Sequence, residues 1–99
     1  MDAVTTSFVV TLFRRGRLYD FHMADTASRA DRRDWSGISK QGFDFKVTRL
    51  GELLSLSDVA IERMREDVEG PRMGYETSFQ VDGATYDRVF REIDEDPSE

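Results

Sequence analysis

His22 is the only histidine among the 99 residues, and the chain contains no cysteine. A metal site would have to be built from carboxylates around a single imidazole, because no thiolate is available for zinc or for nucleophilic catalysis. A catalytic triad needs a histidine oriented by a carboxylate and placed against a nucleophile, and no motif supplies these partners. We therefore interpret His22 as a structural or surface residue and predict neither a metal nor another cofactor.

Carboxylates are the remaining groups that could support acid–base chemistry. The chain holds 20 acidic residues, so a neighbouring pair such as Asp82 and Asp87 arises without any requirement for catalysis. A nucleophile elbow, a phosphate-binding loop and metal-ligand spacing are all missing from the sequence. We predict that the protein is not an enzyme.

Length and composition define the elements that must position any site. The hydrophobic content of 38% suits a single folded domain, which we assign to residues 1–93. Residues 94–99 (DEDPSE) are expected to form a flexible acidic tail. The absence of cysteine and of any long apolar run predicts a cytoplasmic protein with no membrane partner.

Charge is distributed unevenly along the chain. Residues 1–50 carry nine basic and six acidic side chains, whereas residues 51–99 carry five basic and fourteen acidic ones. The first half therefore has a net charge of +3 and the second half −9. Such an asymmetry favours association with a charged partner, because the summed field steers encounter.

The N-terminal region predicts an antiparallel β-hairpin over residues 7–23. Two alternating apolar runs flank a turn that contains Gly16, a residue free to adopt positive φ. With Arg15 and Gly16 as the turn, Leu12 pairs with Tyr19, and six apolar side chains share one face. These six are Phe8, Val10, Leu12, Tyr19, Phe21 and Met23.

Residues 25–41 show no strong periodicity and have two interpretations. They form either a short helix over about 26–34 or a long connection. Arginines and a tryptophan favour a basic and aromatic binding patch, since both residue types are enriched at interface hot spots. The predicted patch comprises Arg14, Arg15, Arg17, Arg29, Arg32, Arg33 and Trp35. The alternative is that Trp35 fills the core while the arginines pair with Asp31 and Asp34.

The second half alternates between strand and helix patterns. Residues 43–48 (FDFKVT) alternate as a half-buried strand does, and residues 49–54 and 57–68 predict two helices. Ser57 is expected to cap the second helix, and Gly70-Pro71 to end it. A strand follows at 75–81. Asp82-Gly83 then favours a hairpin, although residues 84–93 also carry a good helical stripe.

Residues 49–65 resemble the helix-turn-helix of DNA-binding regulators. Gly51 stands where that motif wants a small residue, and Ser55 where it prefers glycine. Its apolar positions are occupied by Leu50, Leu54, Leu56, Ile61 and Met64. The wider order of elements is similar to a winged helix, with a strand at 43–48 and a wing around Asp82-Gly83. The resemblance implies that the second helix would lie in the major groove.

The exposed side of that second helix is acidic, which opposes binding to phosphates. We therefore predict an α+β domain that acts as a non-enzymatic protein-binding module. Its acidic face comprises Asp58, Glu62, Glu66 and Glu69 and is expected to meet a basic protein surface, such as that of a nucleic-acid-binding protein. In size and acidity the chain is similar to phage-encoded anti-restriction and anti-CRISPR inhibitors.

Two further expectations accompany this one. The alternative function is a winged-helix DNA-binding transcriptional regulator that uses its arginine-rich first half, although direct binding of nucleic acid is the weaker prediction. A homodimer is also expected, because the hairpin is apolar on both sides and a second copy could cover it.

Overall fold

The computed structural model describes residues 5–26 and 32–93. These residues form strands β1 (Thr5–Arg15), β2 (Leu18–Asp25) and β3 (Arg32–Ile38), helices α1 (Lys40–Leu54) and α2 (Asp58–Glu69), strand β4 (Gly74–Asp82) and helix α3 (Gly83–Glu92). The strands make one antiparallel sheet in the order β3-β2-β1-β4, and the helices cover one of its faces. The predicted α+β class is confirmed. The predicted tail at 94–99 lies outside the described residues.

The N-terminal hairpin is confirmed, but its register differs from the prediction by two residues. Leu12 pairs with Phe21 rather than Tyr19, because the turn consists of Gly16 and Arg17. Gly16 has φ +66°, which suits the first central position of a two-residue turn. A displacement of two residues keeps every side chain on its original face. The six predicted core residues are therefore all buried.

Residues 32–38 form β3, so the short helix predicted over 26–34 is wrong where the structure describes it. Residues 27–31 lie outside the described part of the chain. The strand is favoured because Trp35 packs edge to face on Phe21, with ring centroids 5.6 Å apart. This contact supports the interpretation that Trp35 packs against the core over the interpretation that it belongs to a binding patch.

The strand predicted at 43–48 is also wrong, because these residues lie inside α1. Ser39 caps this helix by accepting a hydrogen bond from Gly42 N–H at 3.1 Å. Phe43, Val47 and Leu50 are buried at i, i+4 and i+7, which is a helical stripe continuous with the leucines that follow. The apparent alternation arises because Phe45 is also apolar, although the helical period places it on the other side of α1 from that stripe, where it is only partly buried.

The elements from 57 to 82 agree with the prediction. Ser57 accepts a hydrogen bond from Ala60 N–H and caps α2, which Gly70 ends, and β4 contains the predicted strand.

The hairpin alternative after Gly83 is wrong, since α3 occupies that position. Asp82 Oδ1 accepts a hydrogen bond from Thr85 N–H at 2.8 Å, so Asp82 acts as a helix N-cap rather than a turn residue.

The helix pair that resembles a helix-turn-helix is present as a corner between α1 and α2, with Gly51 at the point of contact. The winged-helix order of elements is not present, because the expected strand at 43–48 is part of α1 and the expected wing is helix α3. Over the residues that the structure describes, no helix is both long and apolar enough to cross a membrane.

Candidate protein-binding surface

The outer side of α2 carries the predicted acidic face. Met64 and Val68 are buried and direct one side of the helix toward the sheet. Asp58, Glu62 and Glu66, at i, i+4 and i+8, therefore project from the opposite side at successive turns, about 6 Å apart along the axis. We call these three residues the acidic ridge.

A shallow, open groove runs along the ridge and adds an apolar contact. It is lined by Asp58, Val59, Glu62, Arg63, Glu66 and Asp67. Val59 is 77% exposed, the largest exposed fraction among the exposed large hydrophobic residues of the described chain. Asp67 was not part of the predicted face, although its position four residues after Arg63 on the same helix would have indicated it. The surface combines carboxylates with one solvent-facing aliphatic side chain.

Few cations neutralise the ridge. Glu62 pairs with Arg65 at 2.9 Å, but Arg65 also donates to Thr48 Oγ1 on α1 at 2.6 Å and lies 3.6 Å from Asp44. Within the described residues, Asp58 and Glu66 form no ion pair or side-chain hydrogen bond. Among the residues that line the groove, Arg63 is the one basic side chain. The groove therefore has an excess of negative charge.

Glu69 does not belong to the ridge, although the sequence placed it there. The Tyr19 hydroxyl donates a hydrogen bond to Glu69 Oε1, which turns this carboxylate toward the hairpin. Burial of Tyr19, reinforced by the hydrogen bond to Glu69, raises the tyrosine pKa to about 12. The Tyr19 ring stacks on Phe43 with centroids 4.7 Å apart. Glu69 thus joins α2 to the hairpin and to α1.

The three arginines of the hairpin have separate roles. Arg14 donates to the carbonyl oxygens of Val68 and Glu69, both at 3.3 Å, and so satisfies the C-terminal end of α2. Arg15 pairs with Asp20 at 3.0 Å. Arg17 is exposed at the turn. Only part of this cluster is available to a ligand.

The arginines of β3 are similarly engaged. Arg32 donates to Asp34 Oδ2 at 2.8 Å, as the alternative interpretation of this segment predicted. The Arg33 guanidinium lies over the Phe90 ring at 5.8 Å, and Lys46 Nζ lies over the Trp35 ring at 4.2 Å. Arg29 lies outside the described residues. Trp35 and Arg33 are thus occupied by contacts within the domain.

The predicted basic patch is not one continuous surface in the described part of the chain. Arg17 precedes β2 at the hairpin turn, whereas Arg32 pairs with Ala24 near the far end of β2. Seven residues of extended strand separate these positions, or roughly 23 Å. Phosphates of one short ligand would therefore not reach both groups together.

His22 lies on the sheet face that the helices leave open. Its Nδ1 is 2.6 Å from Asp34 Oδ1, and its ring meets Phe13 edge to face. Burial alone would raise the pKa of Asp34, but hydrogen bonds from His22 and Arg32 outweigh it and hold this pKa below the usual range. In residues 5–26 and 32–93, no cluster of three metal-ligating side chains is formed.

Comparison of the chain with protein-family models, with curated proteins and with solved structures finds no match. Function is therefore inferred from the surfaces of the domain.

Proposed function

We propose that the protein is a non-enzymatic protein-binding module, an inhibitor or regulator, whose acidic ridge binds a basic protein surface. The observation that supports this proposal is the side of α2 itself, where carboxylates at three successive turns flank the exposed Val59. The basic surface of a nucleic-acid-binding protein is the partner class that fits this chemistry.

The expected recognition has two physical components. Carboxylates that lack internal partners attract a basic surface over a distance of about one Debye length, and so accelerate encounter. Val59 then removes apolar area from water when the surfaces meet. Because the ridge lies on a rigid helix rather than on a loop, little conformational entropy is lost on binding.

The alternative, a DNA-binding regulator, gains no comparable support. The helix that would enter the major groove presents the acidic ridge, which phosphates repel. The arginines that could bind phosphates are divided between the hairpin turn and the start of β3, which lies beside the far end of β2.

The proposal is tested by affinity capture from lysate of the source organism, with bound proteins identified by quantitative mass spectrometry. The test variant is Asp58→Asn/Glu66→Gln, which removes the two ridge carboxylates that have no internal ion pair. The matched control is Glu52→Gln/Asp87→Asn, since these two residues are exposed and lie on α1 and α3. Each double variant changes the net charge by the same amount.

The wild-type protein and the control are expected to capture the same basic protein, and the ridge variant to lose it. Capture should also weaken as salt is raised, because the ridge is exposed. Equal capture by all three proteins would refute a role for the ridge. Salt-dependent binding of purified wild-type protein to duplex DNA, unaffected by the ridge variant, would favour the alternative.

A further inference from the structure

The two edges of the sheet are built differently. β3 carries three consecutive charged residues, Arg32, Arg33 and Asp34, and its pairing with β2 shifts register between Tyr19 and Phe21. Gly37, at φ +65°, donates its N–H to the Asp20 side chain at 2.9 Å rather than to a strand. Charge and an irregular ladder are the usual devices that prevent an edge strand from pairing with another chain.

β4 is less protected, because its only charged residues, Glu76 and Asp82, stand six residues apart and its ladder is regular. Its nine residues contain no lysine, arginine or proline, and they pair with β1 without interruption from Thr5 opposite Asp82 to Phe13 opposite Gly74. Among residues 5–26 and 32–93, no strand pairs with its outer side. A long, regular edge strand with few charges is a template for adding another strand.

Two hydrogen bonds fix which main-chain groups of β4 point outward. Arg14 N–H donates to Met73 O at 2.9 Å, so even-numbered residues of β1 face β4, and Thr26 N–H donates to Ser7 O at 3.1 Å, so odd-numbered residues face β2. By the alternation of an antiparallel ladder, the odd-numbered residues of β4 bond to β1. The N–H and C=O groups of Glu76, Ser78 and Gln80 therefore point away from the sheet.

We infer that β4 is a homodimer interface in which two copies pair antiparallel through these outward groups, centred on Ser78, to form one eight-stranded sheet. In this register the full length of each strand is used, with Gly74 opposite Asp82 and Glu76 opposite Gln80 of the second copy. Charge supports it, because neither carboxylate of β4 faces a carboxylate, and the Gln80 amide can donate to Glu76. The five outward residues of each strand would provide about ten hydrogen bonds.

The side chains of β4 that face the helices also favour a second copy. Tyr75, Phe79 and Val81 pack against the core but stay partly exposed, because no neighbouring strand covers them. In the Ser78-centred register Tyr75 lies beside Val81 of the second copy, which buries apolar area from both. The net charge of −6 on each copy opposes association, so the dimer is expected to strengthen with added salt.

The test is the molar mass of the full chain in solution, measured by light scattering across a range of protein and salt concentrations. The wild-type protein is expected at twice the 11.4 kDa monomer mass. Ser78→Lys places two lysines opposite each other at the two-fold axis and should give a monomer. Ser36→Lys makes the same change on exposed β3 and should remain dimeric, and circular dichroism verifies that both variants are folded.

A single introduced cysteine tests the register, since the chain has none of its own. Directly opposed residues of a hydrogen-bonded antiparallel pair have Cα atoms about 5.5 Å apart, within the range of a disulfide. Ser78→Cys should therefore form a covalent dimer under mild oxidation, and Ser36→Cys should not. A wild-type monomer at all concentrations, or a dimer that survives Ser78→Lys, would overturn the inference. So would a monomer whose β4 captures a strand of another protein.

Discussion

Gly51 of α1 lies against Ile61 of α2 so closely that a Cβ atom at Gly51 would come within 2.4 Å of Ile61 Cδ1 and 2.8 Å of Ile61 Cγ1. The helices cross at this point, and the corner that carries the acidic ridge depends on the absence of a side chain there. The ridge can therefore be displaced by a change on a different helix.

Gly51→Ala is expected to lower the free energy of unfolding by about 1–2 kcal/mol, because the overlap with Ile61 outweighs the gain in helix propensity. In an Ile61→Ala background the same substitution should become stabilising by about 0.5–1 kcal/mol. Urea unfolding of the four proteins measures this reversal. Gly42→Ala is the control, since its new Cβ would meet only Ser39 Oγ at 3.5 Å. An equal effect of Gly51→Ala in both backgrounds would contradict the contact.

Ser55 ends α1 in the left-handed conformation, with φ +55°. Leu56 N–H donates to Gly51 O at 2.8 Å and Ser55 N–H to Glu52 O at 3.3 Å, which is the pattern of a Schellman cap. Ser55→Gly should stabilise the protein by about 0.5–1 kcal/mol in urea unfolding, and Ser55→Val should destabilise it. Ser39→Gly, at φ −70°, is the matched control and should give no gain. A gain of equal size at both positions would show that the left-handed backbone is not the cause.

The raised pKa of Tyr19 predicts a loss of stability at alkaline pH. The folded state holds the phenolic proton up to about pH 12, whereas the unfolded state releases it near pH 10. Between these values the folded state binds more protons, so the free energy of unfolding falls as pH rises. Tyr19→Phe should be less stable below pH 10 and should lose this part of the pH dependence. Identical slopes for both proteins in urea unfolding at pH 9–12 would argue against the Tyr19–Glu69 hydrogen bond.

Asp20 predicts an opposite dependence in acid. Burial alone would raise its pKa, but the Gly37 N–H and Arg15 outweigh it and hold the pKa below 3.8. As pH falls, the unfolded state takes up the proton first, so stability present above about pH 4 is lost through the folded-state pKa. Asp20→Asn should cost about 1–2 kcal/mol at neutral pH and flatten this acid loss. Asp87→Asn on exposed α3 is the control, and its unfolding curve should match the wild type.

Local signals predicted the elements whose partners lie close in sequence. Ser57 and Gly70 fixed the ends of α2 because caps act on adjacent main-chain groups. The hairpin face was correct for a related reason, since alternation survives a register shift of two residues. The exposed carboxylates of the ridge followed from helix periodicity once α2 was identified.

The incorrect predictions involve residues that fit two structures equally well locally. Asp82 suits both a turn and an N-cap, and the choice depends on Phe90 and Ile93 filling the core under Phe8. Phe43 to Thr48 alternates locally, yet its burial follows from Leu50 and from Tyr19, which stacks on Phe43. Glu69 was likewise assigned to the wrong face, because the residue that orients its carboxylate, Tyr19, lies 50 residues earlier in the chain and gives no local signal.

The central position of β1 also sets the order in which the domain can assemble. β1 binds β2 through a two-residue turn, but its other side pairs Thr5 with Asp82. During synthesis the hairpin can form early, while the side of β1 that faces β4 stays unpaired until translation has passed residue 82. Contacts of such long sequence separation slow folding and leave an apolar edge exposed on the nascent chain. Pairing along this side of β1 is therefore delayed until β4 has been synthesised.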